Sequence, residues 1–132
     1  MGWHLTDGPE IGHWVAAQTN GKYHAEYSTA IGLKKHDQII AGVIYENFNG
    51  KSLMVHIAIT GRLTPVYLKT VFRYPFVTCD VEKIIAPVSS QNVKSIKLVQ
   101  NMGFTEEGRI RDAAPDGDII MYTLTRNECR FL

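Results

Sequence analysis

The sequence predicts an α+β fold, a mixed α/β domain whose central twisted sheet is mostly antiparallel and has helices on its flanks. Runs of β-forming residues alternate with segments whose apolar residues recur at helical spacing, and Gly, Asn and Pro mark most junctions. One helical segment separates the third and fourth β-rich runs, which is typical of a right-handed crossover between parallel strands. We therefore expect one parallel strand pair within a mixed sheet.

The first helix is expected to begin near Pro9, a residue that fits an early helical position. Asp7 is placed to cap this helix and Glu10, three residues later, to complete a capping box. The helical spacing of apolar residues continues to Gln18, and Asn20-Gly21 predicts the end of the helix.

Three β-rich runs follow, at residues 28–33, 38–45 and 52–60. His36-Asp37 separates the first two and Asn49-Gly50, a strong tight-turn signal, separates the second from the third. Short turns between successive runs predict an antiparallel meander.

The second half of the chain begins with a helix. Thr64-Pro65 combines a capping side chain with a proline suited to the first helical position, and Pro75 predicts a kink or an end near Tyr74. Residues 83–88 are then predicted to form a strand.

A further helix is expected between Asn92, as its cap, and Gly103, as its left-handed stop. Two strands, at residues 105–110 and 119–124, complete the sheet around the turn Pro115-Asp116-Gly117.

Length and composition limit the class of protein. The chain has 132 residues, 45% of them hydrophobic, and a formal net charge of +1, which favours one domain over residues 1–132 with a real core. The sequence has no basic stripe of the kind that binds nucleic acid. It also has no apolar run of about 18 residues that would predict a membrane span. The start lacks a secretion-signal pattern, and Cys79 and Cys129 have neither metal-ligand spacing nor a disulfide framework. A cytoplasmic protein with two reduced thiols is expected.

The order and spacing of several motifs resemble those of the GNAT-type N-acetyltransferases over nearly the whole chain. The match is closest to the small bacterial and phage-encoded branch related to the ribosomal-protein acetylases. The resemblance implies an acetyl-CoA-dependent enzyme, without a metal, that transfers acetyl to a primary amine by direct attack. The motifs are Tyr74-Pro75-Phe76, Asn92-Val93-Lys94-Ser95, Gly103-Phe104-Thr105-Glu106-Glu107-Gly108, Pro115-Asp116-Gly117-Asp118 and Glu128-Cys129-Arg130-Phe131-Leu132.

The resemblance places acetyl-CoA where two parallel strands splay apart, here residues 52–60 and 83–89. Backbone groups left unpaired at the splay need partners, which the pantetheine amides can supply. The diphosphate would meet the start of the helix near Pro65, where free N–H groups favour an anion. The residues implied to bind the donor are Ile57, Ala58, Ile59, Thr60, Gly61, Arg62, Leu63, Thr64, Asn92, Ser95 and Lys97.

The chain departs from the family pattern in three places. The phosphate loop holds one glycine, Gly61, instead of two spaced ones, and Arg62 is placed to compensate. Val99 stands where many relatives have a tyrosine that protonates the departing thiolate, so the resemblance gives Ser95 that role. The segment before the first helix is short, so that either the sheet has one strand fewer or Trp3-His4-Leu5 forms a stub.

His56 is the candidate catalytic base, because it interrupts an apolar strand at the expected cleft and imidazole is suited to proton transfer at neutral pH. The alternative is a histidine on the less buried face of a strand. Tyr45 and Glu46, at the end of the preceding strand, are candidate contacts for the acceptor, and an exposed strand-end carboxylate is the alternative for Glu46. The acceptor is a protein or a small molecule, and exposed aromatic residues permit a homodimer.

A different class of function stays open at this point. The three departures favour a catalytically weak GNAT-like module, phage-encoded and host-directed, that binds without turnover. A nucleic-acid-binding α/β domain ranks last, because the chain lacks a basic stripe. Saturable acetyl-CoA binding and release of free thiol separate these classes.

Overall fold

A computed structural model describes residues 2–19 and 21–132, in which strands and helices alternate along the chain. A π-helical turn, Tyr74–Thr78, and a 3-10 turn, Arg126–Glu128, complete the described elements. The strands and α-helices are β1 Trp3–Asp7, α1 Pro9–Thr19, β2 Thr29–Lys35, β3 Gln38–Glu46, β4 Ser52–Ile59, α2 Pro65–Arg73, β5 Lys83–Ser89, α3 Val93–Asn101, β6 Thr105–Ala114 and β7 Gly117–Thr125.

The strands form one seven-stranded sheet in the order β1-β2-β3-β4-β5-β7-β6. β4 and β5 are parallel, and every other neighbouring pair in this sheet is antiparallel. The predicted mixed α+β fold, with one parallel pair inside a largely antiparallel sheet, is confirmed.

The N-terminal segment differs from its prediction. β1 is a complete strand that pairs with β2 from Trp3 to Asp7, so the sheet does not lack a strand and the segment is longer than a stub. Asp7 ends this strand, and Glu10 forms an ion pair with Lys34 at 2.8 Å. The predicted capping box is therefore wrong. The predicted stop of α1 includes Asn20, which lies outside the described residues.

The meander of β2, β3 and β4 is confirmed, with strand ends shifted by one or two residues. His36 and Asp37 both have positive φ, 52° and 65°, as a two-residue hairpin turn of the mirror-image type requires. In the second connection the Asn49 side-chain oxygen accepts hydrogen bonds from the N–H groups of Lys51 and Ser52, at 2.9 and 2.8 Å. The register of β2 against β3 shifts at a bulge between Leu33 and Lys34, close to the first turn.

Helix α2 is capped and interrupted where the sequence predicts. The Thr64 hydroxyl accepts a hydrogen bond from the Tyr67 N–H at 3.1 Å. Pro75 has no N–H to donate to the Val71 carbonyl, and the Tyr45 hydroxyl donates to that carbonyl instead, at 2.6 Å. The chain then continues as the π-helical turn, so that Pro75 changes the helix without ending it at Tyr74.

Helix α3 begins and ends as predicted. The Asn92 side chain accepts a hydrogen bond from the Ser95 N–H at 3.1 Å. At the other end Gly103 has a φ of +103°, and the Phe104 N–H donates to the Val99 carbonyl at 3.0 Å. The following hairpin is longer than predicted, because β6 and β7 pair as far as Ala114 and Gly117.

The core has two parts. The larger one lies between the sheet and the helices α2 and α3, and the smaller one lies under α1, which packs on β2, β3 and β4. No helix of the described residues is long and apolar enough to span a membrane. Between these two layers, the parallel strands β4 and β5 pair at only three positions of the described sheet.

Candidate functional site

The parallel strands β4 and β5 separate after a short paired segment. Ser52, Leu53 and Met54 pair with Lys83, Ile84 and Ile85. Within residues 52–89, all of which the structure describes, no pair between the two strands follows these three. The remaining residues of both strands, 55–59 and 86–89, border an open gap.

The gap leaves one edge of each strand without a neighbouring strand. The other edge of β4 pairs with β3 as far as Ile59, and the other edge of β5 pairs with β7 as far as Ser89. Backbone polar groups in such a position need partners from water or a ligand. Pro87, which brings no N–H, lies in this unpaired part of β5, where an edge strand tolerates it.

Two small pockets, of about 30 and 40 Å³, mark the enclosed part of the gap. Each holds roughly one water molecule, so a larger ligand has to lie along the strand edges and extend outward. Residues common to both pockets are Thr19, Ile57, Asn92 and Ser95.

The N-termini of two helices lie next to the gap. α2 begins at Pro65, after the five-residue connection from the end of β4, and α3 begins beside Asn92 in the wall of the gap. The first turn of a helix offers unpaired N–H groups and the positive end of its dipole, both of which suit an anion. An anionic ligand at α2 would therefore stand at the open end of the gap.

His56 and Glu46 form a pair on the face of the sheet that carries α1. The His56 Nε2 lies 2.7 Å from the Glu46 Oε1, and the side chains are 22% and 16% exposed. His56 is paired with Ile44 and Glu46 with Met54, so the two residues are diagonal neighbours on adjacent strands. A carboxylate in this position orients the imidazole, and His56 also lines one of the two small pockets of the gap.

Ser95 and Val99 line the same side of the gap from α3. The Ser95 N–H is used by the helix cap, and Ser95 lines both pockets. Val99 is buried and has no proton to donate. Among the gap-lining side chains of α3, Ser95 is thus the hydroxyl donor.

The other predicted donor contacts fall into three positions. Ile57, Ala58 and Ile59 line the gap. The connection 60–64 lies at the open end of the gap. Its Thr60 N–H donates to the Ile40 carbonyl at 2.8 Å. Gly61 packs closely on Ile40, since a Cβ added at Gly61 would lie 3.0 Å from the Ile40 side chain. Lys97 is exposed on α3 outside both pockets, whereas Lys94, one turn earlier, lines one of them.

Two residues that sequence reasoning did not single out, Gln18 and Thr19, reach the gap from the end of α1. The Thr19 hydroxyl donates to the Val15 carbonyl at 2.9 Å, as an ordinary helix-end threonine does. No sequence signal marks Thr19 as a site residue, because only the packing of α1 on β4 brings Thr19 to the gap.

A second cavity, of about 360 Å³, lies at the end of the sheet where β3 ends and β4 begins. We call it the aromatic pocket. Tyr45 belongs to its wall but is 2% exposed, and burial raises the pKa of this phenol. Burial also raises the pKa of Tyr74, whose hydroxyl donates to Thr29 at 3.3 Å. The pocket is lined by Tyr27, Thr29, Tyr45, Glu46, Phe48, Leu53, Tyr74, Thr78 and Cys79.

Neither the known family profiles nor the curated proteins give a match to this chain. Solved structures do. Mutant forms of the spermidine/spermine N-acetyltransferase SpeG from Vibrio cholerae share 15% identity and a TM-score of 0.71 over 95% of each chain. The N-acetyltransferase PseH from Campylobacter jejuni, solved with acetyl coenzyme A, shares 21% identity and a TM-score of 0.57 over 76% of this chain and 69% of that one.

A probable acetyltransferase is also similar, with 18% identity and a TM-score of 0.65. The alignment covers 77% of this chain but only 63% of that one, so this chain spans less than two thirds of its length. At these identities the likeness concerns the fold. It confirms the predicted type of fold, and the closer resemblance to the ribosomal-protein acetylases stays a prediction.

Proposed function

Because the chain has the fold of the GNAT-type N-acetyltransferases, we propose that it transfers acetyl from acetyl-CoA to a primary amine by direct attack. The single observation that carries the proposal is the gap between β4 and β5, which opens after three paired positions. We also propose a cytoplasmic location, in keeping with two free thiols, Cys79 and Cys129.

The gap suits the pantetheine arm of the donor. An extended chain with amide groups can bond to the free edges of β4 and β5 as a strand would. The diphosphate would then reach the first turn of α2, and Arg62, exposed in the connection before it, would supply the positive charge that the single glycine of the loop does not.

In the proposed reaction the nitrogen of a neutral amine attacks the thioester carbonyl. A C–N bond forms, the C–S bond breaks, and the amine loses a proton. His56 accepts this proton, and Glu46, 2.7 Å from its Nε2, stabilises the imidazolium that results. The base therefore keeps its orientation and gains a counter-charge at the moment when it becomes charged.

The CoA thiolate leaves on the side of the gap formed by α3. Ser95 is the hydroxyl that we propose to donate to the sulfur, because Val99 cannot. A thiolate is a tolerable leaving group near neutral pH, since thiol pKa values lie at about 8.5. A hydrogen bond from one hydroxyl is then enough to assist its departure.

Two measurements test the proposal. Calorimetric titration with acetyl-CoA should show saturable binding, and a panel of primary amines should release free thiol in a turnover assay. Free CoA is the matched ligand control, because it shares the diphosphate and pantetheine and lacks the acetyl group. Absence of saturable binding by either ligand would overturn the proposed function.

A second candidate is a GNAT-like module that binds acetyl-CoA without turnover, and the apolar Val99 in the wall of the gap favours it. Saturable binding without thiol release from any amine supports this candidate. Thiol release that depends on an amine excludes it. A homodimer is a separate proposal, which light scattering on the purified chain tests.

A further inference from the structure

The tip of the β6–β7 hairpin, residues 115–118, is bonded to the connection that precedes α3. The Ser90 N–H donates to the Asp118 carbonyl at 2.8 Å, and the Asp118 N–H donates to the Ser90 hydroxyl at 2.9 Å. Beside this pair the Ser89 hydroxyl donates to the Asp116 carboxylate at 2.7 Å and accepts from the Gln91 N–H at 3.2 Å. These bonds join two segments that are distant in the sequence.

The hairpin tip and the connection fit closely. A Cβ added at Gly117 would lie 2.6 Å from the Ser90 hydroxyl oxygen, which is far inside van der Waals contact. The tip is itself braced, because the Asp118 carboxylate accepts hydrogen bonds from the Asp112 N–H at 3.0 Å and from Arg109 at 3.2 Å. The hairpin therefore presents a fixed surface to the connection.

The first turn of α3 is weakly packed. Val93 is 57% exposed and Lys94 is exposed, whereas the helix packs on the core from Ile96 onward and its buried side chain is Val99. Burial of apolar side chains is what fixes most helices in a protein. The hydrogen bonds between the hairpin tip and the connection therefore have a large part in deciding where this first turn lies.

The same connection leads to the α3 wall of the gap. The Asn92 N–H donates to the Ser89 carbonyl at 3.0 Å, and the Asn92 side chain accepts from the Ser95 N–H at 3.1 Å. Asn92 and Ser95 both line the small pockets of the gap. A displacement of the connection would therefore reach Ser95 through two consecutive hydrogen bonds.

We propose that Ser90 is a positioning residue. Bonded to the hairpin tip, it holds the first turn of α3 so that Ser95 lies at the gap. The action of Ser95 on the leaving sulfur rests on the proposed function. The hold of the hairpin tip on α3 rests on the hydrogen bonds themselves.

Gly117→Ala and Gly108→Ala are a matched pair of substitutions in the hairpin. Neither glycine has a positive φ, and a Cβ at Gly108 meets nothing within 4 Å. Gly117→Ala should push the tip away from Ser90, so that the Ser95 amide exchanges about three- to tenfold faster. Gly108→Ala should leave Ser95 exchange unchanged. Equal exchange rates of Ser95 in the two variants would overturn the proposal.

Removal of the Ser90 hydroxyl tests the contact from the other side. Ser90→Ala leaves the Asp118 N–H without its acceptor and should speed Ser95 exchange as Gly117→Ala does. In the double variant Ser90→Ala/Gly117→Ala the hydroxyl that the new Cβ would meet is absent, so the two effects should be less than additive. Fully additive effects would overturn the proposal.

Turnover shows whether this hold serves the proposed reaction. Ser90→Ala should lower kcat about three- to tenfold and leave the KM of the amine unchanged, because Ser95 acts on the departing thiolate and not on the acceptor. In a Ser95→Ala background, Ser90→Ala should have no further effect on kcat. A further loss of equal size in that background would show that Ser90 acts by another route, and would overturn the proposal.

The two proposals can fail separately. If the wild type does not bind acetyl-CoA, the proposed function is wrong, and faster exchange of Ser95 in Gly117→Ala still supports the hold of the hairpin tip on α3. If the wild type releases thiol with an amine, and Ser90→Ala changes neither kcat nor Ser95 exchange, the positioning role is wrong and the acetyltransferase proposal stands.

Discussion

The gap between β4 and β5 and the aromatic pocket are built differently. The gap is made of backbone, because two strands stop pairing after three positions and leave two edges open. The aromatic pocket is made of side chains from strand ends and connections, with Tyr27 and Phe48 as its exposed members.

This difference determines how each region responds to substitution. A gap formed by backbone persists when most of its side chains change. Only substitutions that add charge or bulk near its open end should disturb it. A pocket made of side chains changes with each ring that is removed. Single substitutions near the open end of the gap should therefore change the binding of the donor and leave the aromatic pocket unchanged.

The largest effect is expected at the pair of His56 and Glu46. His56→Ala removes the proposed base and should lower kcat by about 10²- to 10⁴-fold, with the affinity for acetyl-CoA nearly unchanged. Steady-state kinetics and calorimetry measure the two quantities. His4→Ala is the control, since His4 is an exposed histidine on β1, at the opposite end of the sheet from β6. Equal turnover in wild type and His56→Ala would remove His56 from the mechanism.

A negative charge at the start of α2 should weaken the binding of the donor in the gap and leave the aromatic pocket unchanged. Val66→Glu puts a carboxylate beside the proposed diphosphate and should weaken acetyl-CoA binding about tenfold at low salt, with less effect at high salt. The helix itself tolerates an acid in its first turn.

Val77→Glu is the matched control for this charge. Val66 is 65% exposed and Val77, in the π-helical turn, is 52% exposed. The control should bind acetyl-CoA as the wild type does. Equal weakening by both substitutions would show that net charge, and not the helix N-terminus, is responsible.

Two buried tyrosines should respond to loss of the hydroxyl in opposite ways. The Tyr45 hydroxyl, in the wall of the aromatic pocket, donates to the Val71 carbonyl, so Tyr45→Phe should lower the free energy of unfolding by about 1–2 kcal/mol. The Tyr67 hydroxyl of α2 is buried without a hydrogen-bond partner in the described structure. Tyr67→Phe should leave stability unchanged or raise it by up to about 1 kcal/mol.

Urea unfolding of both variants measures these changes. Each variant is the control for the other, because both lose one buried phenolic oxygen. A loss of similar size in the two variants would contradict the assigned hydrogen bonds.

The smallest effect concerns the hairpin that holds the far end of β5. Asp118 accepts a hydrogen bond from the Asp112 N–H at 3.0 Å and another from Arg109, and these bonds hold the pKa of its carboxyl below the ordinary value. A depressed pKa means that the contribution to stability is present above the unfolded pKa of about 3.9 and is lost as pH falls through the folded value.

Amide exchange measures this effect. The Asp112 amide should lose protection as the pH is lowered through that range, after correction for the intrinsic exchange rate. Asp118→Asn keeps an oxygen acceptor and should show little pH dependence of protection. Identical pH profiles for the two proteins would contradict the assignment.

Much of the fold was predictable because single residues mark the boundaries of its helices. Thr64, Pro75, Asn92 and Gly103 each mark a helix boundary or interruption through their own side chain or backbone preference. The strand β1 was underestimated, because it is an edge strand of five residues whose side chains are largely exposed and show no apolar alternation. Local preference carries little information about such an edge.

The site was predictable in its parts and not in its assembly. His56 and Glu46 were separate predictions, and only the register of β3 against β4 places them side by side. Lys97 at the donor stays a prediction; it is exposed on α3 outside both small pockets, whereas Lys94 lines one of them, and sequence does not fix the rotation of α3 about its axis. The lining of the aromatic pocket comes from loops as well as strands, and loop residues carry no periodic signal.

Pro75 has an effect that reaches beyond its own turn. By withholding an amide hydrogen it leaves the Val71 carbonyl to Tyr45, and this bond anchors α2 to a strand of the sheet. This hydrogen bond restricts the rotation of the whole helix about its axis, including its first turn at Pro65. The direction in which the leading amides of α2 face is thus governed by a proline beyond the opposite end of the same helix.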